Sequence, residues 1–383
     1  MFQVVLYCPD RHLTYEGSTP DRVGVGGGVT ARIRLAQALA GAGCRVRIVA
    51  NVPRPHALGS VELVPLESCR SLSCDVLILN STGGKLDLSP VLELDVRARL
   101  RQVWVGGEAR VQGLETVGYD FVVAPSNYVR KVIGEVWGVP SARRLVIHNG
   151  VPEPAKPSWL GRVERDPFRL IYTGHPMKGL AATLELLRLL RAEDRRFRLD
   201  VFGGPRLWGQ EETPFDPPEG VAWHGLVGQK TLAPALLRAG FSINLQGIAD
   251  GFGIALAEAM AAGCIAAASH IGAYPELIRH GYDGFLVPGD HASPETLARV
   301  AALLIDLVKA PDFCAYLRRN ASRSPLPWSV VARAWVGHWQ RFFSSGEAPG
   351  GEACPECGAE RFALADGWHC PGCGRYSRGA DGP

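Results

Sequence analysis

Short apolar runs alternate with helical stretches twice along this chain, and a proline-rich break separates the two series. Such alternation marks α/β units on parallel sheets, because each strand must cross over through a helix to reach its parallel neighbour. In the first half the strand candidates are QVVLYC, RVRIVA, VLILN, QVWVGG and FVVAPS. A helix is expected from about Val29 to Ala40, where Val29, Ile33, Ala36 and Ala40 share one face and Gly41 and Gly43 end it. Residues 151–167, VPEPAKPSWLGRVERDP, hold four prolines and no clear period, and read as an interdomain hinge. The second series runs FRLIYTG, a helix over 179–192, FRLDVFGG, VAWHGLV, a helix over 230–239, FSINLQ, a further helix, CIAAAS and GFLVPG. The expected fold class is α/β: two doubly wound, Rossmann-like domains, 1–150 and 151–327, facing a cleft where strand ends bind ligands. Residues 328–343 carry Val331, Trp335, Trp339 and Phe342 at helical spacing, a closing helix expected to pack back on the first domain. Residues 344–353, SSGEAPGGEA, read as a flexible linker.

The totals narrow the partners. Across 383 residues, 41 basic side chains face 38 acidic ones, which gives no general case for nucleic acid or an anionic membrane surface. No run approaches the ~18 apolar residues of a spanning helix, although a peripheral membrane contact stays open. The first stretch, MFQVVLYCPDRHLTYEG, lacks the basic lead and long apolar run of a signal peptide. Cys8, Cys44, Cys69, Cys74, Cys264 and Cys314 are scattered in mostly apolar surroundings, as buried thiols of a reducing compartment are. A cytoplasmic location is expected.

The stretch DGFGIALAEAMAAG, residues 250–263, poses a chemical question. It follows an apolar strand, turns on glycines, and opens a helix of strong formers that Gly263 ends. Amides near Gly253 and Ile254 would then point outward at a helix start, where a phosphate group fits. Glu258 stands one turn in, among alanines. An ionised carboxylate buried there without partners costs several kcal/mol. It therefore needs donors, and a ribose diol supplies two. Asp250, on the turn, would reach another part of the same ligand. Equally open at this point is a structural Glu258 satisfied by backbone, with Asp250 as a cap.

DGFGIALAEAMAAG and the following SHIGAYPELIRHGYDGFLVPGD closely resemble the donor-binding signature of the retaining glycosyltransferases of family 4, which have the GT-B fold. That signature sets two acids with seven residues between them, as Asp250 and Glu258 are here, with Asp in place of the usual first Glu. GGGVTARIRLAQALAGAGCRV, APSNYVRKVI, IHNGV, IYTGHPMKGL and WHGLV resemble its other landmarks, so the likeness extends over most of residues 1–345. The resemblance implies a nucleoside-diphosphate sugar as donor substrate, held mainly by the second domain, and an acceptor that the sequence does not identify: a glycan, a lipid or a small molecule. It implies that Glu258 holds the ribose and Asp250 the hydroxyls of the transferred sugar. Gly251, Phe252, Gly253 and Ile254 would bring amides to phosphate, Lys178 would contact the diphosphate, and Pro275 and Glu276 would line the same cleft. Transfer with retention at the anomeric carbon is implied, with no catalytic divalent metal required, since lysine and amides take its place. Two positions depart from the pattern. His175 stands where an arginine is usual, and Arg206 is a candidate to compensate. VWVGGEARV has no histidine, and Glu108 is the candidate stand-in. The Gly24–Gly28 cluster has the wrong spacing for a dinucleotide fingerprint. It reads as a loop whose backbone, at Gly28, approaches the donor phosphate or the acceptor, while Arg32 and Arg34 read as a solvated helix face. A protein that binds the donor without transferring it, as a scaffold or sensor, is the alternative.

The tail CPECGAERFALADGWHCPGCG sets Cys354, Cys357, Cys370 and Cys373 as two C-x2-C pairs twelve residues apart. That spacing aims four thiolates at one point and expects a small zinc ribbon over 354–376 holding a structural Zn²⁺. His369 is expected to be a bystander. Residues 352–383 contain three arginines and five acids, a poor footprint for nucleic acid. The ribbon is expected to stabilise the chain or to meet a protein partner.

Overall fold

The computed structural model describes residues 1–152, 164–211, 215–344, 352–364 and 367–378. The hinge expected over 151–167 and the linker over 344–353 lie largely outside the described residues. The chain divides into two compact units, Met1–Ser18 with Gly28–Gly150 and Pro327–Pro383, and Thr19–Gly27 with Val151–Leu326.

The first unit is built on an eight-stranded sheet: β1 Gln3–Tyr7, β2 Arg45–Ala50, β3 His56–Leu58, β4 Val61–Pro65, β5 Ser71–Asn80, β6 Asp95–Trp104, β7 Phe121–Ala124 and β8 Arg144–Val146. Their order is β3-β4-β2-β1-β5-β6-β7-β8. All neighbours are parallel except β3, which returns antiparallel on β4. The central strands are buried on both faces, as a sheet covered by crossovers requires, and so read as continuous apolar runs. The closing helix Trp328–Phe343 packs on this sheet. Trp335 meets Trp104 edge-on at 5.9 Å, and Trp339 Nε1 donates to the buried Gln102 Oε1 at 2.7 Å.

Two details differ from expectation. The helix α2, introduced after the short α1 Thr19–Arg22, spans Gly26–Gly41, so Gly26–Gly28 form its first turn rather than a free loop. Arg32 on that helix is fully buried, not solvated. Its guanidinium donates to Asp10 Oδ1 at 2.7 Å, Tyr15 Oη at 2.8 Å and Asn80 Oδ1 at 3.0 Å. Asp10 and Tyr15 follow β1 and Asn80 ends β5, the two strands between which the sheet reverses its winding. A fully bonded, paired guanidinium is the form in which a buried charge is tolerated. Here it ties the segment after β1 to the end of β5.

The second unit holds a six-stranded, wholly parallel sheet of β9 Asp166–Thr173, β10 Arg198–Phe202, β11 Val221–Gly225, β12 Ala239–Asn244, β13 Ile265–Ser269 and β14 Gly284–Val287, in the order β11-β10-β9-β12-β13-β14. The crossovers include α3 Leu180–Glu193 after β9, α4 Gln229–Arg238 after β11 and α5 Ile254–Ala261 after β12. Leu186, Leu190, Phe197, Phe241 and Leu304 are in the core that joins helices to sheet. The winding runs outward from β9 to β10 and β11, then from β12 to β13 and β14. The reversal therefore falls between β9 and β12, where open α/β sheets take their ligands.

Candidate active site and metal centre

The loops that leave β9 and β12 meet at this switch point. After β9, His175–Gly179 make a tight turn that delivers Lys178. After β12, residues 245–253 carry Asp250 to the start of α5. Lys178 Nζ lies 2.8 Å from Asp250 Oδ1, with both side chains about a quarter exposed. The other carboxylate oxygen accepts from Tyr274 Oη at 3.0 Å and from Gln246 Nε2 at 3.4 Å. Burial, reinforced by Asp250, holds the Tyr274 phenol well above its ordinary range, so it stays a proton donor. Tyr274 and Gln246 were not singled out from the sequence. Only the loop that carries Asp250 brings it to them.

The α5 helix begins at Gly253, whose φ of 91° is left-handed and which no side chain caps. A Cβ there would meet Tyr274 Cε1 at 2.6 Å, so only glycine allows this close turn. Phe252 is buried with Val151 and Ala257 in a small apolar cluster that fixes the turn from beneath. Segment Thr19–Gly27, part of this same unit, lies across it: Gly27 faces Ile254, Gly26 faces Leu207, and Gly24 faces Leu226 and Val227. Pro275 and Glu276 lie in the short helix Tyr274–Leu277.

Glu258 is 8% exposed. It is not stranded among alanines. Gln229, the first residue of α4, donates from Nε2 to both carboxylate oxygens, at 3.1 and 3.3 Å. The sequence gives no sign of this partner, which stands 29 residues away on another crossover.

His175 is buried, and both ring nitrogens are engaged by the protein. Nδ1 accepts from the Met177 amide at 3.1 Å, which leaves Nε2 to donate to Gln210 Oε1 at 3.1 Å. The ring stacks on Trp208 at 3.7 Å. Burial lowers its pKa, so it is a neutral brace for the turn that carries Lys178. Arg206 is exposed on the neighbouring turn. Gly28 and Glu108 belong to the first unit. A Cβ on Gly28 would overlap Thr82 Oγ1. Glu108 is exposed and accepts from Tyr128 Oη at 2.6 Å, a bond that pushes this phenol up to about 12.

In the tail, the sulfurs of Cys354, Cys357, Cys370 and Cys373 all lie within 4.8 Å of one another. Cys354 Sγ is 3.6 Å from Cys373 Sγ, and Cys357 Sγ is 3.5 Å from Cys370 Sγ, too far for disulfides. Thiolates around a tetrahedral Zn²⁺ with bonds of about 2.3 Å stand about 3.8 Å apart, so the donor set fits that ion. Burial pushes the Cys370 thiol up to about 11, and a cation amid the four sulfurs would offset that and favour the thiolates. Strands β15 Phe362–Leu364, β16 Gly367–His369 and β17 Tyr376–Arg378 form an antiparallel sheet beside the cysteines.

This small sheet docks on its own unit. The Val146 amide of edge strand β8 donates to Pro371 O at 2.8 Å, and Asn127 Nδ2 donates to Cys373 O. Arg341 of the closing helix pairs with Glu360, and His338 stacks on Phe362 at 6.1 Å. Burial, helped by Arg341, drives the His338 imidazole down to about 4. A histidine depressed in the fold stabilises it fully above the ordinary value of 6.5 and loses that contribution as pH falls towards 4. Urea unfolding should therefore show wild type losing about 2 kcal/mol more than His338→Leu between pH 7 and pH 4.5. Equal losses in the two proteins would contradict the buried neutral ring.

The architecture is that of the GT-B glycosyltransferases. Sucrose-phosphate synthase from Thermosynechococcus elongatus superposes with a TM-score of 0.62 at 15% identity, over 90% of this chain and 100% of that one. Anabaena HepE, solved in complex with UDP-glucose, superposes at 0.59 and 14% identity, over 90% of this chain and 100% of that one. Within this fold, residues 167–306 match the family Glycosyl transferases group 1, a stretch that includes Lys178, Asp250 and Glu258. The GDP-mannose:cellobiosyl-diphosphopolyprenol alpha-mannosyltransferase of Xanthomonas campestris is 31% identical over 205 residues, half of this chain and half of the relative. The chain spans only 26–56% of the length of the curated relatives it matches. No described helix is long and apolar enough to cross a membrane.

Proposed function

We propose that the chain is a retaining glycosyltransferase of family 4 that moves a sugar from a nucleoside-diphosphate sugar to an acceptor. The observation that carries this reading is the meeting of Lys178 with Asp250 at the switch point between β9 and β12, beside a helix start that no side chain caps. The family match over the same residues, and a relative whose name specifies mannose transfer from GDP-mannose, support it.

In this reading the sugar nucleotide lies with its ribose at Glu258, its diphosphate at the amides of Gly253 and Ile254, and its sugar at Asp250. Negative charge grows on the diphosphate as the anomeric bond breaks. Lys178 and the helix amides stabilise that charge, so no catalytic divalent cation is needed. Asp250 holds Lys178 close without the nucleotide and turns to sugar hydroxyls when phosphate takes over the ammonium. The departing phosphate accepts the acceptor's proton, since no glycosidase-like pair of carboxylates is needed for retention here. His175 shapes the turn, Glu108 stands in for the family histidine near the reacting sugar, and Gly28 brings backbone to the donor phosphate or the acceptor. Zn²⁺ in the four-cysteine site is structural, because four thiolates leave no open position.

Incubation with UDP-, GDP- and ADP-sugars and a panel of glycan and lipid acceptors tests this. At least one pair should yield an α-linked product from an α-linked donor. Lys178→Ala should lower kcat by about 10²–10³-fold, the scale of one lost donor to a developing oxyanion. A Lys178→Ala protein as fast as wild type would remove lysine from the leaving-group role.

A further inference from the structure

We propose that a cavity at the amino-terminal side of the first unit's sheet binds an amphiphile with an apolar chain and a single anionic head. The site stands apart from the donor site proposed above and needs none of its residues. Open α/β sheets take their ligands at the carboxyl ends of their strands. This cavity is elsewhere: of its lining residues, Phe121 opens β7 and Arg99 lies in the first half of β6. The closing helix passes Trp104, the last residue of β6, with Trp335, and reaches the cavity only with its final residues.

The cavity holds about 620 Å³, the size of a small-molecule site. Phe121, Leu145, Phe342, Phe343 and Phe362 give it apolar walls. Phe121 stands edge-on to Phe342 at 6.0 Å, and Phe342 edge-on to Phe343 at 5.3 Å, so each ring holds the next. Phe362 comes from β15, so the small sheet of the tail completes the wall. Residues 345–351, SGEAPGG, follow the closing helix in sequence and carry no large apolar side chain with which the chain could fill such a space itself.

The polar lining selects the head. Among the described lining residues, Arg99, Arg341 and His338 carry the polar side chains, and no carboxylate is present. Arg99 Cζ lies 4.4 Å from the centre of the Phe343 ring, and Arg341 Cζ 5.1 Å from that of Phe362. A guanidinium laid on an aromatic ring keeps its N–H edge for anions. Arg99 also meets Asp75 at 3.5 Å, and Arg341 pairs with Glu360. A guanidinium has more N–H donors than one carboxylate takes up, so each arginine can accept an anionic head as well. His338 is 5% exposed, and its Nε2 has no hydrogen-bond partner among the described residues. It stands one turn before Arg341 on the same helix face. An anionic head beside Arg341 supplies the acceptor that an Nε2–H lacks.

The test measures calorimetric binding of decyl phosphate, kept below its micelle-forming concentration, with decyl maltoside and decyltrimethylammonium as neutral and cationic controls. Wild type should bind a single decyl phosphate per chain, roughly tenfold or more tightly than either control, since two guanidinium contacts distinguish them. Arg99→Gln changes an exposed side chain that the fold should tolerate. It should weaken decyl phosphate binding about three- to tenfold, the scale of one partly exposed charged contact, and leave decyl maltoside unchanged. Leu145→Trp puts bulk into the cavity and should abolish binding in a protein whose melting curve shows it folded. No binding to wild type, equal affinity for the three head groups, or several molecules bound per chain overturns the inference. So does decyl phosphate affinity left unchanged in Arg99→Gln or in folded Leu145→Trp.

Discussion

Glu258→Ala should bind nucleoside diphosphates about 100-fold more weakly than wild type, with little change in thermal stability. Two hydroxyls donating to a carboxylate contribute about 1.5–3 kcal/mol each, and each 1.4 kcal/mol is a factor of ten. The fold should tolerate the change because α5 already reads IALAEAMA, and alanine is the strongest helix former. Removing a buried carboxylate also removes its desolvation cost, which offsets the bond lost from Gln229. Calorimetric titration and a melting curve on the same preparation separate the two effects. Undiminished affinity in a folded Glu258→Ala protein would falsify the ribose assignment, and with it the geometry proposed for the donor.

Chelation of the tail metal, or Cys370→Ser, should lower the melting temperature of the first unit by roughly 5–10 °C, the shift that a few kcal/mol produces in a unit of this size. Binding of Zn²⁺ is worth about 10–16 kcal/mol to a segment this small, which cannot fold on its core alone. Its loss should be felt beyond the tail because Pro371 accepts from Val146 at the sheet edge and Phe362 covers His338. The uncovered β8 would present free strand edge, so the apo protein should also aggregate sooner. Cobalt substitution reads the site independently, since four thiolates give intense charge-transfer bands that vanish in the variant. Identical melting with and without chelator would confine the cysteines to a tail with no influence on the unit it touches.

The alternation of apolar runs was readable because strands buried on both faces keep no polar positions, and a linear scan sees that directly. Short edge strands such as β3 and β8 carry only three residues each and leave no such trace. The four cysteines were readable for a related reason: a metal site made by two local turns is written in local spacing. Asp250 and Glu258 were visible through their resemblance to a known signature. So was Lys178, but its direct pairing with Asp250 was not. Lys178 and Asp250 are 72 residues apart, and only the adjacency of β9 and β12 brings them together. Gln229 is invisible for the same reason. Arg32 was read as a solvated charge because a lone arginine on a helix gives no hint that Asp10, Tyr15 and Asn80 converge on it from two other strand ends.

Segment Thr19–Gly27 comes early in the chain yet is counted with Val151–Leu326. Dissection of the protein at the obvious boundary would therefore yield an incomplete half. A recombinant fragment starting at residue 151 would lack the nine residues that roof Gly228 and Ile254, and would expose the very turn that is meant to grip the nucleotide. Poor solubility or weak nucleotide affinity in such a fragment would report a missing lintel, and grafting residues 19–27 back through a short glycine-serine tether is the natural repair.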